Sequence, residues 1–149
     1  MEGTSKIDKY RLKPRVAVGI FLLEQKSNRV LLLKRKKQDG LANKWGPVCG
    51  KLEYLETIED GILRELNEEI CFKISKKNIK FLTISEQTKE YPHFVVIWYY
   101  CYVDKNKLSL KMCEREFLEY NWFPLLKAPK EAFSGKTREK LTQLISFRK

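Results

Sequence analysis

Apolar runs separated by turn-forming residues predict that several strands and one well-marked helix follow each other along this chain. Residues 15–23 and 29–34 are rich in Val, Ile and Leu, and the polar residues 26–28 between them are typical of a tight turn. These two runs therefore predict a β-hairpin. Three later runs also have the length and the residue types of strands, namely residues 80–85, 94–103 and 117–123.

Residues 57–70 have the clearest helical period in the chain. Apolar side chains recur every four residues and form one stripe, made of Ile58, Ile62, Leu66 and Ile70. Thr57 is a good N-cap, and Asp60 three residues later gives a variant of the capping box. Gly61 costs the helix about 1 kcal/mol relative to Ala, so we expect close packing at that position.

The order of these elements predicts an α/β domain, with a mixed sheet and helices on both of its faces. Residues 45–52 contain two Gly and one Pro, so they are expected to form a loop or a bent strand. Residues 94–103 are apolar on both faces, which is typical of a strand covered on both sides. We expect one domain over residues 1–149, with a polar N-terminal segment at 1–12 and a C-terminal helix at 136–149.

Composition limits the cellular setting. The chain has 149 residues, 43% of them apolar, and no apolar run approaches the length that crosses a bilayer. The polar N-terminus has no signal-peptide core, so a cytoplasmic location and no membrane partner are expected. None of the four cysteines lies in a CxxC pair or in a cluster with zinc spacing, so we expect four reduced thiols.

Charge is distributed unevenly along the chain. The formal net charge is +11, which attracts nucleotides, nucleic acids or acidic membranes without choosing among them. The basic residues are scattered and form no single stripe. In contrast, seven of the 19 acidic residues lie between residues 53 and 69, where they could hold cations.

Three of these carboxylates share one face of the predicted helix. Glu65, Glu68 and Glu69 are spaced i, i+3, i+4, at the edge of the apolar stripe, and like charges at this spacing destabilise a helix. A fold tolerates them if they point to water, meet basic partners or bind a metal. A solvated acidic face and a site for a hard cation such as Mg²⁺ both remain open at this point.

The surrounding motif favours the metal site. Gly50 is followed after five residues by Glu56, and after seven more residues by Arg64-Glu65-Leu66-Asn67-Glu68-Glu69-Ile70-Cys71-Phe72. This stretch resembles the Nudix box at eight of its nine specified positions. The exception is Cys71, where the family has a Gly that permits a positive φ at low cost. The resemblance extends over residues 13–127.

The resemblance implies a Nudix-type α/β/α sandwich and hydrolysis of a substrate with a nucleoside diphosphate linked to a variable group. It implies that Glu65, Glu68 and Glu69 bind Mg²⁺ or Mn²⁺ and that one of the three acts as a base through metal-bound water, which leaves open which one it is. Glu68, Arg64 and Glu56 are the expected catalytic residues, with Arg64 orienting a carboxylate and Glu56 as its partner. Two further metal ligands are expected, the Cys49 carbonyl and a glutamate from a late loop. Glu116 and Glu119 are the candidates for that glutamate.

The expected substrate contacts come from Lys51, Trp45 and Arg35, two for phosphates and Trp45 for stacking on a base. The leading interpretation is a small MutT-like enzyme that converts nucleoside triphosphates to monophosphate and pyrophosphate. A hydrolase of RNA 5′ ends or of dinucleoside polyphosphates is the alternative, since the positive charge suits RNA. A catalytically silent nucleotide-binding module and a homodimer also remain open.

Overall fold

The computed structural model describes residues 13–36, 43–88 and 93–127, together with Gln143. In these described residues it contains one complete α-helix, α1 (Ile58–Ile70), and three short 3₁₀ turns at Lys76–Asn78, Lys105–Lys107 and Leu125–Lys127. Its strands are β1 (Arg15–Glu24), β2 (Arg29–Arg35), β3 (Trp45–Gly46), β4 (Val48–Lys51), β5 (Lys80–Gln87), β6 (Phe94–Val103) and β7 (Phe117–Pro124). In the described residues no helix has the length and apolarity needed to span a bilayer.

The seven strands form one mixed sheet. β1 runs parallel to β6 from Arg15 opposite Phe94 to Glu24 opposite Val103, and β4, β5, β2 and β7 add antiparallel pairs. A parallel pair needs a long crossover, and the chain between β1 and β6 contains α1. The hairpin of β1 and β2 confirms the expectation for residues 15–34. The later strands β5, β6 and β7 confirm the three strands expected further along the chain. Residues 45–52, which were expected to form a loop or a bent strand, contain two short strands, β3 and β4.

Both faces of the sheet are buried around β1. Val18, Ile20 and Leu22 pack with the apolar stripe of α1, whereas Phe21 and Leu23 face a second apolar cluster on the opposite side. This arrangement explains why β1 reads as an almost continuous apolar run in the sequence. It also fixes α1 against the centre of the sheet, beside β4.

The expectation that residues 94–103 are covered on both sides is only partly correct. Ile97, Trp98 and Cys101 are buried, but most of the other side chains of β6 are partly exposed. The reason is the position of α1, which packs over β1 and β4 and leaves the β5–β6 side of the sheet more open. The expected segments at 1–12 and 136–149 lie outside the described residues, Gln143 excepted.

Close packing at Gly61 is confirmed. A Cβ atom there would lie 2.7 Å from Leu52 Cδ1 and 3.0 Å from Glu56 Oε1. The first contact is shorter than real Cβ contacts, so any larger residue would force the Leu52 side chain to move and would crowd the Glu56 carboxylate. Gly61 therefore lets the segment that carries Glu56 lie directly on α1.

Cys71 ends α1 in the left-handed conformation, with φ 52° and ψ 37°. Its N–H donates to the Asn67 carbonyl (3.0 Å), and the Phe72 N–H donates to the Leu66 carbonyl (3.3 Å). The turn that the family makes with Gly is thus retained with Cys, and the chain accepts the strain that a Cβ atom brings to this conformation.

Replacing Cys71 with Gly is expected to raise the free energy of unfolding by about 1 kcal/mol, because Gly adopts positive φ without steric cost. Urea denaturation of the metal-free protein measures the change. Cys71→Ala is the matched control, since it removes the thiol and keeps the Cβ atom, and it should leave the stability nearly unchanged. Equal stability of the Gly and Ala variants would contradict the assignment of strain.

Candidate active site

The segment between β4 and α1 brings the candidate residues together. Gly50 lies opposite Val18 of β1, and the Leu52 N–H donates to the Val16 carbonyl, so the chain leaves the sheet at a fixed point. The Thr57 hydroxyl accepts the Asp60 N–H (3.1 Å) and donates to the Asp60 carboxylate (2.7 Å), which starts the helix. The N-cap predicted from the sequence is confirmed, and it sets where every later helical side chain points.

Arg64 makes the bidentate contact expected with Glu56. Its Nε donates to Glu56 Oε2 (2.7 Å) and its Nη2 donates to Glu56 Oε1 (3.1 Å). The hydrogen bonds from Arg64 are the main reason why the pKa of Glu56 lies below its ordinary value. In turn, the hydrogen bond to Glu56 is the main reason why the pKa of Arg64 is raised. Both side chains are therefore charged at neutral pH.

The same guanidinium also contacts the helix carboxylates and the strand. Arg64 Nη1 donates to Glu65 Oε1 (2.8 Å) and to Glu68 Oε2 (3.1 Å). Arg64 Nη2 donates to the Lys51 carbonyl at 2.9 Å, and Nε lies 3.7 Å from Glu53 Oε1. Arg64 thus joins β4, the following loop and α1. The sequence motif did not predict that Arg64 contacts Glu53 and the Lys51 carbonyl, although Glu53 lies one tight turn before Glu56.

Glu65 lies directly under Gly50. The residue is 8% exposed, and a Cβ atom on Gly50 would overlap its carboxylate. Burial raises the pKa of Glu65, and the hydrogen bond and charge of Arg64 oppose that shift. The Gly of the motif is therefore a steric requirement, because only Gly leaves room for this carboxylate between strand and helix.

Glu69 is the most buried carboxylate of the group. The residue is 3% exposed, and its Oε2 atom has no hydrogen-bond partner among the residues that the structure describes. Burial raises the pKa of Glu69 well above its ordinary value, Arg35 opposes the shift, and Glu65 and Glu116 add to it. A backbone hydrogen bond from Cys49 lowers it slightly. Arg35 and the Cys49 N–H therefore offset only part of the free-energy cost of burying this charge.

The loop that carries Glu116 is bonded to the end of α1 at Cys113 and to the residue after β2 at Glu116. The Cys113 N–H donates to the Glu69 carbonyl (2.8 Å), and the Lys36 N–H donates to the Glu116 carbonyl (2.9 Å). The negative charge of Glu116 raises the pKa of both Glu65 and Glu69. The other candidate, Glu119, lies in β7 opposite Lys34, and its charge is not among the causes given for either shift. Of the two, the fold brings Glu116 to the carboxylates.

Arg35 lies near the same carboxylates because the pairing of β2 with β7 shifts register between Lys34 and Arg35. Such an irregularity re-aims a side chain. The Arg35 guanidinium lies over the Phe117 ring, 5.7 Å from its centroid. Its charge opposes the raised pKa values of Glu69 and Cys49.

The other residues predicted to contact metal or substrate, Cys49, Lys51 and Trp45, lie in different surroundings. Burial is the main cause that raises the pKa of the Cys49 thiol, to about 12, so the thiol stays protonated, and its side chain packs with the apolar cluster opposite α1. The Lys51 side chain is exposed. Trp45 is 8% exposed, and its ring meets Phe123 edge-on at 4.9 Å with Lys34 Nζ 5.9 Å from the centroid. Its burial favours a role in the core over stacking on a base.

The donor set fits a hard divalent cation in its chemistry. It consists of carboxylate oxygens, and one of them is buried without a partner. In the described residues, however, no three His, Cys, Asp or Glu side chains already form a metal cage. Glu65 and Glu68 share a cation, but that cation is the Arg64 guanidinium. Mg²⁺ typically takes few protein carboxylates and completes its shell with water and phosphate oxygens, so a full protein cage is not required.

Comparison with known proteins gives a consistent fold. Residues 13–144 match the family model described as the NUDIX domain. The MutT NUDIX hydrolase from Burkholderia pseudomallei superposes with a TM-score of 0.76 at 25% identity, over 89% of this chain and 98% of that one. This similarity confirms the predicted α/β sandwich with a mixed sheet. A search of curated protein sequences gave no match.

Two more distant structures share the fold alone. The E. coli dihydroneopterin triphosphate pyrophosphohydrolase has a TM-score of 0.71 at 18% identity, over 90% of this chain and 98% of that one. The C. elegans Ap4A hydrolase has a TM-score of 0.71 at 18% identity, over 90% and 97%.

Glu69→Gln is expected to stabilise the metal-free protein at alkaline pH. A carboxyl whose pKa is raised by folding costs stability when it is ionised, so the wild-type unfolding free energy falls as the pH rises from about 4.5 through the raised pKa of Glu69. The Gln variant lacks this loss. It should exceed the wild type by about 1 kcal/mol or more at about pH 8 and show no advantage below the ordinary Glu pKa.

Chemical denaturation across this pH range, with a chelator present, measures the difference. Glu68→Gln is the matched control, because the Glu68 side chain is 56% exposed and its ion pair with Arg64 contributes about 1 kcal/mol or less. A pH-independent effect of Glu69→Gln would contradict the strained, buried carboxylate.

Proposed function

The chain belongs to the Nudix hydrolase family, and from this premise we propose that it hydrolyses the diphosphate linkage of a nucleoside triphosphate with Mg²⁺ or Mn²⁺. The observation that carries the proposal is the buried, unpartnered Glu69 Oε2 atom beside Glu65, at the junction of β4 and α1. A fold keeps such a group at a cost in stability, which a bound cation would offset.

Glu69 and Glu65 are the proposed first ligands, since both carboxylates are buried with pKa values raised by that burial. Glu68, Glu116 and the Cys49 carbonyl are proposed to complete the protein's share of the oxygen donors. When bound, the ion neutralises charge on the diphosphate oxygens and lowers the pKa of a bound water. The first effect would reduce the repulsion between the anionic diphosphate and its nucleophile, and the second would supply that nucleophile at neutral pH.

Glu68 is the proposed general base. Its carboxylate is the most exposed of the three on the helix, with 56% of the side chain accessible, so an attacking water can reach it. Arg64 holds Glu68 at 3.1 Å and Glu65 at 2.8 Å, while Glu56 holds the guanidinium itself with two hydrogen bonds. In this proposal Arg64 and Glu56 are positioning residues, which keep the base and the ligand in one orientation.

Arg35 and Lys51 supply positive charge for the substrate. Arg35 lies near the carboxylates, and its charge opposes the raised pKa of Glu69. Lys51 is exposed at the end of β4, directly after Gly50. An anionic substrate would thus meet one arginine within the site and one lysine at its edge.

The names of two similar structures support a substrate with linked phosphates. One acts on dihydroneopterin triphosphate and the other on Ap4A. A hydrolase of RNA 5′ ends or of dinucleoside polyphosphates is the second candidate, favoured by the net charge of +11 and by the Ap4A hydrolase. A cytoplasmic location is proposed with either substrate, in keeping with four free cysteines.

Glu65→Gln and Glu69→Gln are each expected to lower kcat/KM for the best nucleotide by about 100-fold or more, because a metal ligand is worth several kcal/mol in the transition state. The assay is a panel of nucleoside triphosphates and dinucleoside polyphosphates with Mg²⁺ or Mn²⁺. It reads phosphate and pyrophosphate separately. Glu119→Gln is the matched control and should keep wild-type activity. Unchanged turnover in Glu69→Gln would overturn the metal assignment.

The salt dependence of kcat/KM distinguishes a mononucleotide substrate from an RNA substrate. Turnover of a mononucleotide is expected to change little between about 0.05 M and 0.2 M salt, since few counterions are released on binding. An RNA that contacts six or more phosphates would lose about 1,000-fold in affinity over this range. Measuring kcat/KM for a nucleoside triphosphate and for a triphosphorylated oligonucleotide at both salt concentrations gives the answer. A steep loss for the oligonucleotide, together with faster turnover of it at low salt, would favour RNA.

A further inference from the structure

Two loops that lie far apart in the sequence carry an excess of positive charge. Residues 71–80 contain four lysines and residues 105–111 contain three, and neither range contains an aspartate or a glutamate. All seven of these lysines are exposed. They are Lys73, Lys76, Lys77, Lys80, Lys105, Lys107 and Lys111.

The fold places these two loops at the same end of the sheet. The Lys111 N–H donates to the Ile70 carbonyl at 3.1 Å, which joins the end of the second loop to the start of the first. Where the first loop ends, Lys80 pairs with Tyr100 of β6, and β6 ends at Val103, just before the second loop begins. The two loops therefore form one surface, which we call the lysine surface (residues 71–80 and 105–111).

Apolar side chains fix both loops to the core and leave the lysines on the outside. Phe72 and Ile74 pack against the core cluster that contains the apolar stripe of α1, and so do Leu108 and Leu110. These anchoring residues alternate with exposed ones, so that Lys73, for example, lies between two of them and is exposed. The charges are thus carried on an ordered backbone, which lowers the entropic cost of binding a partner.

Structural roles account for only part of this charge. Lys76 Nζ lies 2.6 Å from Asp60 Oδ1. Positive charge is also favourable at the end of a helix, but this effect is confined to the last turn and so concerns Lys73 and Lys111 at most. Lys77 and Lys107 have no ion pair within residues 13–36, 43–88 and 93–127. Like charges collected on one surface repel one another, and a bound polyanion would relieve that repulsion.

The lysine surface leads towards the carboxylates. The Cys113 N–H donates to the Glu69 carbonyl at 2.8 Å, two residues beyond Lys111. Glu116, which is proposed as a metal ligand, follows Lys111 by five residues, and five fully extended residues span at most about 18 Å. An RNA with its 5′ phosphates at the carboxylates would therefore meet the lysine surface within a few nucleotides.

An exposed aromatic ring borders the lysine surface. Phe81 directly follows Lys80 and is 54% exposed, and its ring meets Tyr99 edge-on with the centroids 5.9 Å apart. Single-stranded nucleic acids bind to this combination, in which cations contact the phosphates and a base stacks on an aromatic ring. Stacking and the proximity of the carboxylates favour RNA over an acidic membrane, which would need the positive charge alone.

We propose that the lysine surface binds the phosphate backbone of a single-stranded RNA whose 5′ end occupies the carboxylate site. The seven lysines supply the charge, and Phe81 offers a ring on which one base stacks. The proposal deepens the second substrate candidate, and it rests on the proposed function only for the position of the 5′ end. The contact with the backbone needs neither a metal ion nor hydrolysis.

The test is fluorescence anisotropy of a labelled single-stranded RNA of about 12 nucleotides, titrated with the full chain and a chelator between about 0.05 M and 0.2 M salt. A triple variant with Lys73→Gln, Lys77→Gln and Lys111→Gln should raise the Kd by about 10-fold or more at low salt. It should also reduce the slope of log Kd against log salt by about 2, since each phosphate contact to a single strand contributes about 0.7. Phe81→Thr should raise the Kd by about 5-fold or more and leave the slope unchanged.

A second triple variant, with Lys13→Gln, Lys26→Gln and Lys127→Gln, is the matched control. It removes the same number of charges from exposed positions outside the lysine surface, so its Kd should stay within about two-fold of the wild type at about 0.2 M salt, where distant charges are screened. Both triple variants change exposed residues only, and urea denaturation checks that they fold like the wild type. Both should retain the wild-type kcat/KM for a nucleoside triphosphate.

Three results would overturn the proposal. One is an equal loss of affinity in both triple variants, which would indicate a general effect of net charge. Another is a wild type that binds no RNA at about 0.05 M salt. The third is a wild type that uses these lysines to bind vesicles of phosphatidylserine and phosphatidylcholine but does not bind RNA. A wild type that binds RNA through these lysines and hydrolyses no nucleotide would support the lysine surface and overturn the proposed function.

Discussion

The candidate site depends on one side chain, Arg64, and on the pairing of its guanidinium with Glu56. This contact joins the loop after β4 to the first two turns of α1. From the same position the guanidinium fixes two further carboxylates, those of Glu65 and Glu68. Bidentate arginine–carboxylate pairs are directional as well as strong, so the pair sets an orientation that a lysine at the same position would not set.

Small residues make this arrangement possible. Gly50 leaves the space that the Glu65 carboxylate fills, and Gly61 lets Leu52 and Glu56 lie on the helix. The helix loses some intrinsic stability at Gly61, and the fold gains the close approach of the loop that carries Glu56. Glu69 represents a second cost, because its charge is buried with one oxygen unpartnered. Stability is thus reduced at the positions where carboxylates are gathered, which is typical of a functional site.

Much of the fold could be predicted from the sequence because its signals are local. The stripe of Ile58, Ile62, Leu66 and Ile70 predicted α1, and Thr57 predicted its first residue. The resemblance to the Nudix box also predicted the contact between Arg64 and Glu56. In contrast, the partial exposure of β6 follows from where α1 lies on the sheet, which no local pattern encodes. The sequence left Glu116 and Glu119 as alternatives, and only the folded chain shows that the loop of Glu116 is bonded to the end of α1 whereas Glu119 lies in β7.

The sequence by itself determined the family, the helix and the set of carboxylates, since these depend on residue types at fixed spacing along one element. Only the tertiary structure decided how those carboxylates differ. Glu65, Glu68 and Glu69 are equivalent in the linear motif, yet one lies under Gly50, one is exposed beside Arg64, and one is buried. Their environments differ because β4, Arg35 of β2 and the loop of Glu116 lie far apart in the sequence and meet α1 only in the folded chain. Burial and neighbouring charge from these elements shift the pKa values of Glu65 and Glu69.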